Sequence, residues 1–379
     1  MSTPTNRAFS HLISIRWDCC NGLGPEAILS RAKDLLKTKF TVNPSYEAQL
    51  PGDGGSIALF SSIESNLTVL LRRYNANQLI TFNIEYPVTW DQSALDSQRA
   101  ISRKVDDLKN ELNDFLGGGV EKIPALKLGT SVPNYYASSD DRLLEYDFEQ
   151  VLFDKKSDYQ QVKILKSKTL GNALFLDDLQ NLAEKDLPYT HGLMHFGHFD
   201  YKDKDILILG GGDGGLLHEL LKENPKHVIM IDIDQVVIES CRVHLRGACG
   251  STMDQMKTDK YEIIVADCIK YLEEYATNGK KFDVIFNDLT DIPLSSDSND
   301  QVASDLWSFI KKILLLSFKC LPAGGKYFNH AIGSGCTSAL EAYENVLKDL
   351  PYKIQFSAHA SFVPSFLEEW VFYDITKLE

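Results

Sequence analysis

The sequence lacks any apolar run long enough to cross a bilayer, which needs roughly 18 or more such residues in succession. Its first residues, MSTPTNRAFSHLISIRW, also lack the apolar core of a secretory signal peptide. We therefore expect a cytoplasmic protein that has no membrane partner.

Positive charge is scarce. The 39 Lys and Arg residues face 53 Asp and Glu residues, which leaves a net charge of −14 over 379 residues. This balance argues against nucleic acid or an anionic membrane as the main partner. It fits a cationic ligand, although many soluble proteins are equally acidic without such a meaning.

Cysteine is also sparse and unpatterned. The seven cysteines are an odd number and form no CxxC pair; Cys19 and Cys20 are adjacent and the others are scattered. This pattern predicts reduced thiols, and it indicates neither a disulfide framework nor a zinc site.

Residues 1–118 have the pattern of an N-terminal α/β domain. An initial strand precedes an amphipathic helix predicted over about 25–40, three strand-like runs and a polar helix predicted over about 93–116. The glycines that begin at Gly117 end that helix. Because no catalytic constellation is visible in this part, we interpret it as a dimerisation or scaffold element.

The rest of the chain changes character twice. Residues 119–141 are predicted to be an irregular linker, and residues 142–186 a small β-strand domain of hairpins. Over residues 187–379, short apolar strands alternate with helices, which predicts a Rossmann-like, methyltransferase-type catalytic domain with a parallel sheet. There are no internal repeats and no low-complexity segments.

Four predicted strands of this last domain end in acids. Asp213 follows the first strand, Asp232 and Asp234 the second, Asp267 the third and Asp288 the fourth. Ligands of open parallel sheets bind at the carboxyl ends of the strands, so these acids are expected to meet at the ligand edge. Aspartates also cap helices at such turns, and this alternative explains one acid more readily than all four.

The loop after the first strand, in ILILGGGDGGLLHEL, has the glycine pattern that cradles a phosphate at a helix N-terminus. Its loop glycines are Gly210, Gly211, Gly212 and Gly214. The carboxylate of Asp213 in their midst would repel a pyrophosphate and attract a cation.

The next acids suit a nucleoside. Asp232 stands about 22 residues after Gly210, near the spacing at which an acid binds ribose hydroxyls, and Asp267 with Cys268 stands where an adenine edge can bind. This combination alone also suits NAD. Asp213 favours an adenosyl ligand with a cationic tail, such as a sulfonium compound.

Further acids and a phenol complete the pattern: Asp186, Tyr189, Asp288 and Glu368. A group of carboxylates is the expected environment of a polyamine. The nucleophile must then be a free amine, and a buried carboxylate among other carboxylates has a raised pKa and can accept the amine's proton.

Five segments in order, YQQVKI, NLAEKDLPYT, ILILGGGDGG, NDLT and PSFLEEWVFY, resemble the polyamine aminopropyltransferases, which comprise the spermidine and spermine synthases. The resemblance is closest to the spermine synthases of animals, and it covers residues 142–379 with a comparable domain before them. It implies transfer of an aminopropyl group from decarboxylated S-adenosylmethionine to spermidine, which gives spermine and 5′-methylthioadenosine. It also implies a homodimer through the N-terminal domain and requires no metal or other cofactor.

The resemblance assigns individual roles as well. It implies a donor site in which Asp213 holds the aminopropyl end: Gln160, Asp213, Asp232, Asp267 and Cys268. It implies an acceptor site in which Asp288 takes the proton from the attacking amine: Tyr189, Asp288, Phe366 and Glu368. Asp213 and Asp288 are thus predicted as the catalytic acids. Asp232 replaces the family's Glu and Phe366 its Tyr, so one hydroxyl hydrogen bond to the acceptor is lost.

Other interpretations remain open. A related transferase could make spermidine or thermospermine, a methyltransferase could act on another amine, and an inactive member could regulate through its dimer domain. Retention of Asp213 and Asp288 argues against the last. His191, His195 and His198 have helical spacing and could form a metal site, but no local acid or cysteine completes it. The polar segment 295–300 is predicted to be a solvated loop, with closure over the site as the alternative.

Overall fold

The computed structural model describes residues 6–20, 22–52, 54–62, 66–89, 92–289, 291–293 and 301–379. The chain forms two compact units, residues 1–131 and residues 132–379. The predicted loop at 295–300 lies outside the described residues. No described helix is long and apolar enough to span a membrane.

The first unit is an antiparallel sheet with two helices. Its strands are β1 Asn6–Arg16, β2 Asn43–Gln49, β3 Ser56–Ser61, β4 Thr68–Tyr74, β5 Leu79–Thr89, β6 Val120–Lys122 and β7 Leu126–Leu128. They are ordered β2-β3-β4-β5-β1-β6, with β7 also paired to β1. Alternate residues of β3 and β4 are buried, which is the period that the sequence pattern requires. The core lies between this face and the two helices.

Both predicted helices of this unit are confirmed, as α1 Pro25–Phe40 and α2 Gln92–Leu116. Pro25 begins the helix, at a position where a backbone N–H would have no partner within the helix, so its missing N–H loses no hydrogen bond. The segment 119–141 was predicted as an irregular linker. This is wrong for β6 and β7, which hydrogen-bond to β1, and for a further strand at Tyr135–Ala137. Strand β2 was not predicted, because nearly all its residues are exposed and show no apolar alternation.

The second unit begins with short antiparallel strands. Strands β8 Tyr135–Ala137 and β9 Leu143–Glu145 pair with each other. A four-stranded sheet then follows in sequence order: β10 Phe148–Lys156, β11 Gln161–Ser167, β12 Gly171–Leu176 and β13 Leu179–Ala183. Sequential antiparallel neighbours are hairpins, as the alternating pattern predicted.

A seven-stranded sheet forms the rest of this unit, which has the predicted Rossmann-like, methyltransferase-type fold. Its strands are β14 Asp205–Gly210, β15 His227–Asp232, β16 Tyr261–Val265, β17 Val284–Asp288, β18 Lys326–Gly333, β19 Ile354–Val363 and β20 Glu368–Lys377. The helices are α3 Leu187–Leu193, α4 Gly215–Lys222, α5 Gln235–His244, α6 Arg246–Cys249, α7 Cys268–Asn278, α8 Gln301–Cys320 and α9 Thr337–Lys348.

The strand order is β16-β15-β14-β17-β18-β20-β19, in which β20 runs antiparallel to its neighbours and the first five strands are parallel. The middle strands are apolar and buried on both faces, as parallel strands covered by helices are. The order reverses between β14 and β17. Such a switch point leaves a crevice at the carboxyl ends of the strands.

Candidate active site

The glycine loop and the end of β17 lie side by side at the switch point. Gly210 is the register partner of Asp288, and the N–H of Gly211 donates to the backbone carbonyl of Asp288 over 3.3 Å. Gly210 has φ of +83°, and a Cβ built on it would overlap that carbonyl oxygen. Glycine is therefore required here because the loop backbone runs against the strand that carries Asp288.

A cavity of about 420 Å³ opens above this point. Six aspartates line it: Asp177, Asp213, Asp232, Asp267, Asp288 and Asp291. In the described part of the chain no lysine or arginine contributes to the lining, and His330 is the basic side chain in it. Such a lining favours a cationic ligand, in agreement with the interpretation of Asp213.

Tyr189 and Asp288, both predicted for the acceptor site, are in direct contact. Tyr189 lies on α3, and its hydroxyl donates to Asp288 Oδ1 over 3.0 Å. Burial raises the pKa of the Asp288 carboxyl, while the charge of His330 and the tyrosine hydrogen bond act in the opposite direction. Asp288 is therefore a carboxylate that is poised to accept a proton.

Asp213 is the second acid of the pair. Its Oδ1 accepts a hydrogen bond from the N–H of Gly215 over 2.7 Å, which orients the carboxyl at the start of α4. Burial, followed by the negative charge of Asp288, raises the pKa of Asp213 to about 7. The two carboxylates repel each other, so a cation between them would be bound more tightly than at either alone.

Asp232 is anchored to the glycine loop. Its oxygens accept from the N–H of Gly212 over 2.9 Å and from the N–H of Asp234 over 2.8 Å. A Cβ built on Gly212 would lie 2.7 Å from Asp232 Oδ2, so the loop packs directly on this carboxylate. Burial raises the pKa of Asp232 to about 6. Its short side chain thus supports the loop as well as lining the cavity.

Asp267 and Cys268 stand together at the start of α7. Asp267 Oδ1 accepts from the N–H of Ile269 over 2.9 Å, so this acid is also a helix cap. Burial, followed by the charge of Asp267, raises the pKa of the Cys268 thiol to about 12. Both residues line the cavity, and Cys268 contributes a neutral thiol at physiological pH.

Gln160 reaches the cavity from the turn between β10 and β11. Its amide donates to Asp234 Oδ2 over 3.1 Å, and the Ser157 hydroxyl donates to the same oxygen over 2.6 Å. Asp234 also caps α5 by accepting from the N–H of Val236. Asp234 thus joins the β-hairpins to the parallel-sheet part, a role that the sequence interpretation missed.

Of the two remaining acceptor-site predictions, one lines the cavity. The ring of Phe366 stands 5.9 Å from that of Tyr189 and 4.7 Å from that of Trp370, both in edge-on geometry. Glu368 does not line this cavity. Its Oε2 accepts from the Ser139 hydroxyl over 2.9 Å and lies 3.4 Å from an Arg142 nitrogen, so its acceptor-binding role stays a prediction.

Asp186 was grouped with the polyamine-binding acids, and the structure corrects this. It is buried and accepts from the N–H of Ala183 over 2.6 Å, from the N–H of Ser365 over 2.9 Å and from the Ser365 hydroxyl. It does not line the cavity. Asp186 therefore ties the start of α3 to the turn between β19 and β20.

Among the acidic and basic side chains of the cavity, sequence reasoning missed three: Asp177, Asp291 and His330. Asp291 follows Asp288 by three residues in NDLTDIP, and His330 lies in β18, the strand beside β17. A histidine in the next parallel strand, β18, could have indicated His330 as a cavity residue. The sequence analysis did not consider it, because the last strand whose end it examined was β17.

The histidine triplet does not form one helix face. Helix α3 ends at Leu193, and His195 has φ of +46°. His191 Nε2 lies 3.3 Å from a Glu219 oxygen, whereas His195 Nδ1 lies 3.2 Å from an Asp374 oxygen and its ring stacks on His198. Among the residues that the structure describes, no three or more His, Cys, Asp or Glu side chains are grouped to hold a metal ion.

Comparisons with known proteins agree with this geometry. Residues 186–379 match the family described as the spermine/spermidine synthase domain. Residues 134–184, which form β8 to β13, match the family described as the spermidine synthase tetramerisation domain.

Similar proteins include two archaeal polyamine aminopropyltransferases. One from Pyrobaculum calidifontis is 36% identical over 164 residues, which cover 42% of this chain and 55% of the relative. One from Pyrobaculum aerophilum is 31% identical over 217 residues, or 56% of this chain and 70% of the relative. The chain thus aligns with little more than half of the first relative's length. Thermospermine synthase ACAULIS5 of Arabidopsis thaliana is 29% identical over 62% of this chain and 68% of its own.

Solved structures support the fold. A spermidine synthase from Thermotoga maritima superposes with a TM-score of 0.50 at 22% identity, over 65% of this chain and 79% of its own. A spermidine synthase in complex with the transition state analogue AdoDATO gives a TM-score of 0.52 at 24% identity, over 65% and 80%. The matched domain and the cavity at its switch point together show that this chain belongs to the spermine/spermidine synthase family, the polyamine aminopropyltransferases.

Proposed function

We propose that the protein transfers an aminopropyl group from decarboxylated S-adenosylmethionine to spermidine, forming spermine and 5′-methylthioadenosine. One observation carries the proposal: Asp213 and Asp288 line the same cavity at the switch point, and its described lining holds six aspartates and no lysine or arginine. The donor is a sulfonium with an amino group and the acceptor is a polyamine, so both ligands are cations. The reaction uses no metal and no resident cofactor.

The donor would occupy the side of the cavity formed by β14, β15 and β16. Asp232 would accept from the ribose hydroxyls, and Asp267 with Cys268 would border the adenine, since all three line the cavity at successive strand ends. Gln160 would close the donor site from the hairpin side. Asp213 would bind the terminal ammonium of the aminopropyl chain, which places the reactive carbon towards Asp288.

The acceptor amine arrives as an ammonium ion and must lose a proton before it attacks. Asp288 would take that proton, because its pKa is raised by burial and its position is held by the Tyr189 hydroxyl. The free amine then attacks the methylene carbon next to sulfur. The new N–C bond forms as the C–S bond breaks, and its electron pair leaves with the neutral thioether. Orientation of the two substrates can supply up to about 7–11 kcal/mol of the barrier reduction.

A transfer to putrescine is the second candidate, because a specific observation favours it. Glu368, predicted to grip the far amine of spermidine, is already paired with Arg142 and Ser139 and lies off the cavity lining. Without that acid a shorter diamine would lose less binding energy. Spermidine as acceptor requires that Glu368 exchange its arginine for the substrate's ammonium.

The test is product analysis. The purified protein is incubated with decarboxylated S-adenosylmethionine and either spermidine or putrescine. The products are resolved chromatographically and compared with spermine and thermospermine standards. We expect spermine from spermidine. Product from putrescine alone would favour the second candidate. Absence of transfer to both amines, with methylation by S-adenosylmethionine, would overturn the proposal.

Asp288→Asn tests the assignment of the base. Asparagine keeps an oxygen for the Tyr189 hydroxyl but cannot accept the proton, so we expect kcat to fall by about 10²–10⁴-fold with little change in donor binding. Glu341→Gln, on the exposed side of α9, is the matched control and should keep wild-type activity. Unchanged kcat in Asp288→Asn would show that another group removes the proton.

A further inference from the structure

His330 and Asp291 belong to the cavity, but the mechanism above leaves them without a role. His330 lies in β18 and is 5% exposed. Its Nε2 stands 3.8 Å from Asp288 Oδ1, and its Nδ1 stands 3.1 Å from Asp291 Oδ1, in a geometry that does not form a hydrogen bond. The imidazole therefore has a carboxylate at each nitrogen, and one of them is the proposed base.

The three side chains differ in their access to water: two are enclosed and Asp291 is exposed. The Asp288 side chain is 9% exposed and that of His330 is 6% exposed, whereas that of Asp291 is 49% exposed. The proton that Asp288 receives is thus released in an enclosed place. A path through His330 would deliver it to a carboxylate that water reaches.

We infer that the His330–Asp291 pair carries away the proton that Asp288 takes from the attacking amine, and so returns Asp288 to its ionised form before the next turnover. The inference rests on the proposed function for the source of the proton. His330 is a positioning residue in this scheme, because it acts through Asp288.

The steps balance. The amine's N–H bond breaks and an O–H bond forms on Asp288. At a pH above the pKa of His330, where the imidazole is neutral and carries its proton on Nδ1, the Asp288 proton passes to Nε2. The imidazolium gives its Nδ1 proton to Asp291, which loses it to water, and exchange with water restores the resting tautomer. For transfer, the gap of 3.8 Å at Nε2 must shorten and Nδ1 must align with Asp291, as catalytic contacts commonly do when ligands bind.

The electrostatics support this order. Burial alone would favour a neutral imidazole, but the contact with Asp291 and the charges of Asp291 and Asp288 outweigh it and raise the pKa of His330. In return, the charge of His330 lowers the pKa of Asp288. The titratable groups that face the ring are Asp288 and Asp291, together with Tyr189 of α3, whose ring is 5.7 Å away; Asp213 interacts with Asp288.

The kinetic test compares pH profiles of kcat for the wild type, His330→Gln and Asp291→Asn. We expect kcat to fall at least about tenfold in His330→Gln and less in Asp291→Asn, with KM for both substrates within about twofold. The acidic limb of the profile should move to higher pH in His330→Gln, because at acidic pH His330 is protonated and its charge lowers the pKa of Asp288, whereas glutamine carries no charge. His227→Gln, at a half-buried histidine that begins β15 and does not line the cavity, is the control. A profile of His330→Gln that superimposes on that of the wild type would overturn the inference.

A second measurement does not depend on turnover. The imidazole of His330 is titrated by NMR in the ligand-free protein, with its signal assigned by its loss in His330→Gln. We expect a pKa above the ordinary value of about 6.5, and a lower pKa in Asp291→Asn and in Asp288→Asn. An unshifted pKa in either variant would overturn the pairing. If the wild type instead transfers no aminopropyl group while His330 titrates as expected, the failure belongs to the proposed function alone.

Discussion

Individual carboxylates of the cavity lower the free energy of unfolding at neutral pH, because burial and neighbouring negative charge disfavour their ionised form. Asp213 shows this most clearly, because burial and the charge of Asp288 raise its pKa to about 7. Between its ordinary pKa and this value, the folded protein binds more protons at Asp213 than the unfolded chain does. The free energy of unfolding therefore falls as pH rises from about 4 to about 7.

Asp213→Asn should remove this penalty. Asparagine can still accept the Gly215 N–H, but it does not ionise. We expect the ligand-free variant to melt about 3–6 °C above the wild type at pH 7.5, and the difference to shrink at pH 5, where wild-type Asp213 is protonated. Thermal unfolding at both pH values, with Glu341→Gln as control, provides the measurement. A difference that is independent of pH would contradict the explanation.

At the scale of elements, α3 and the turn between β19 and β20 are held together by one buried acid. Asp186 accepts from two backbone N–H groups and one hydroxyl, and α3 in turn carries Tyr189 to Asp288. Burial raises the pKa of Asp186 in spite of these hydrogen bonds. An acid that the sequence suggested for substrate binding thus positions the helix that carries Tyr189 to Asp288, the proposed base.

Asp186→Asn should therefore be costly. The new NH₂ group must face either the Ala183 N–H or the Ser365 N–H, which leaves a buried donor without an acceptor. We expect a loss of about 2–4 kcal/mol in the free energy of unfolding, measured by guanidinium denaturation. A loss below about 0.5 kcal/mol, the range of ordinary surface substitutions, would show that the turn adapts. Glu341→Gln again supplies that reference.

The helices and strands that the sequence predicted are those with a clear local pattern of apolar residues and end signals. Helix α1 matched the predicted range because Pro25 marks its first turn and its apolar residues recur on one face. Strands β14 to β17 were found because they are short apolar runs that end in acids. Strands β6 and β7 have only three residues each, and their partner β1 lies over one hundred residues earlier, so no local window could reveal them.

For the whole molecule, each of the two units has its own apolar core, and all residues that line the cavity belong to residues 132–379. We propose that the full chain forms a homodimer through its N-terminal domain. The alternative follows from the match of residues 134–184 to a family named for tetramerisation.

Light scattering on two chains separates these possibilities. We expect the full chain at about 85 kDa, twice its 42.6 kDa, and residues 132–379 alone as a folded monomer that still binds decarboxylated S-adenosylmethionine in calorimetry. An oligomer of residues 132–379 would place the subunit contact in that unit. Loss of folding on truncation would show that its core needs the N-terminal part.

The sequence by itself determined the fold class, the glycine loop and the row of acids at strand ends. Those features depend on local periodicity and on the rule that parallel strands end at one edge. The family resemblance assigned Tyr189 and Asp288 separately to the acceptor site, and the structure adds that the two are in direct contact.

Only the tertiary structure decided which acids face the cavity. Asp186 and Glu368 look like the other acids in sequence. In the structure, however, Asp186 accepts hydrogen bonds from buried donors, and Glu368 is paired with Arg142 and Ser139. Nothing local in the sequence links His330 and Asp291 to Asp288. The pairing of β18 with β17 brings His330 beside Asp288 and Asp291. The pKa of a carboxyl group depends on burial and neighbouring charge, and both are properties of the folded arrangement, not of the order of residues.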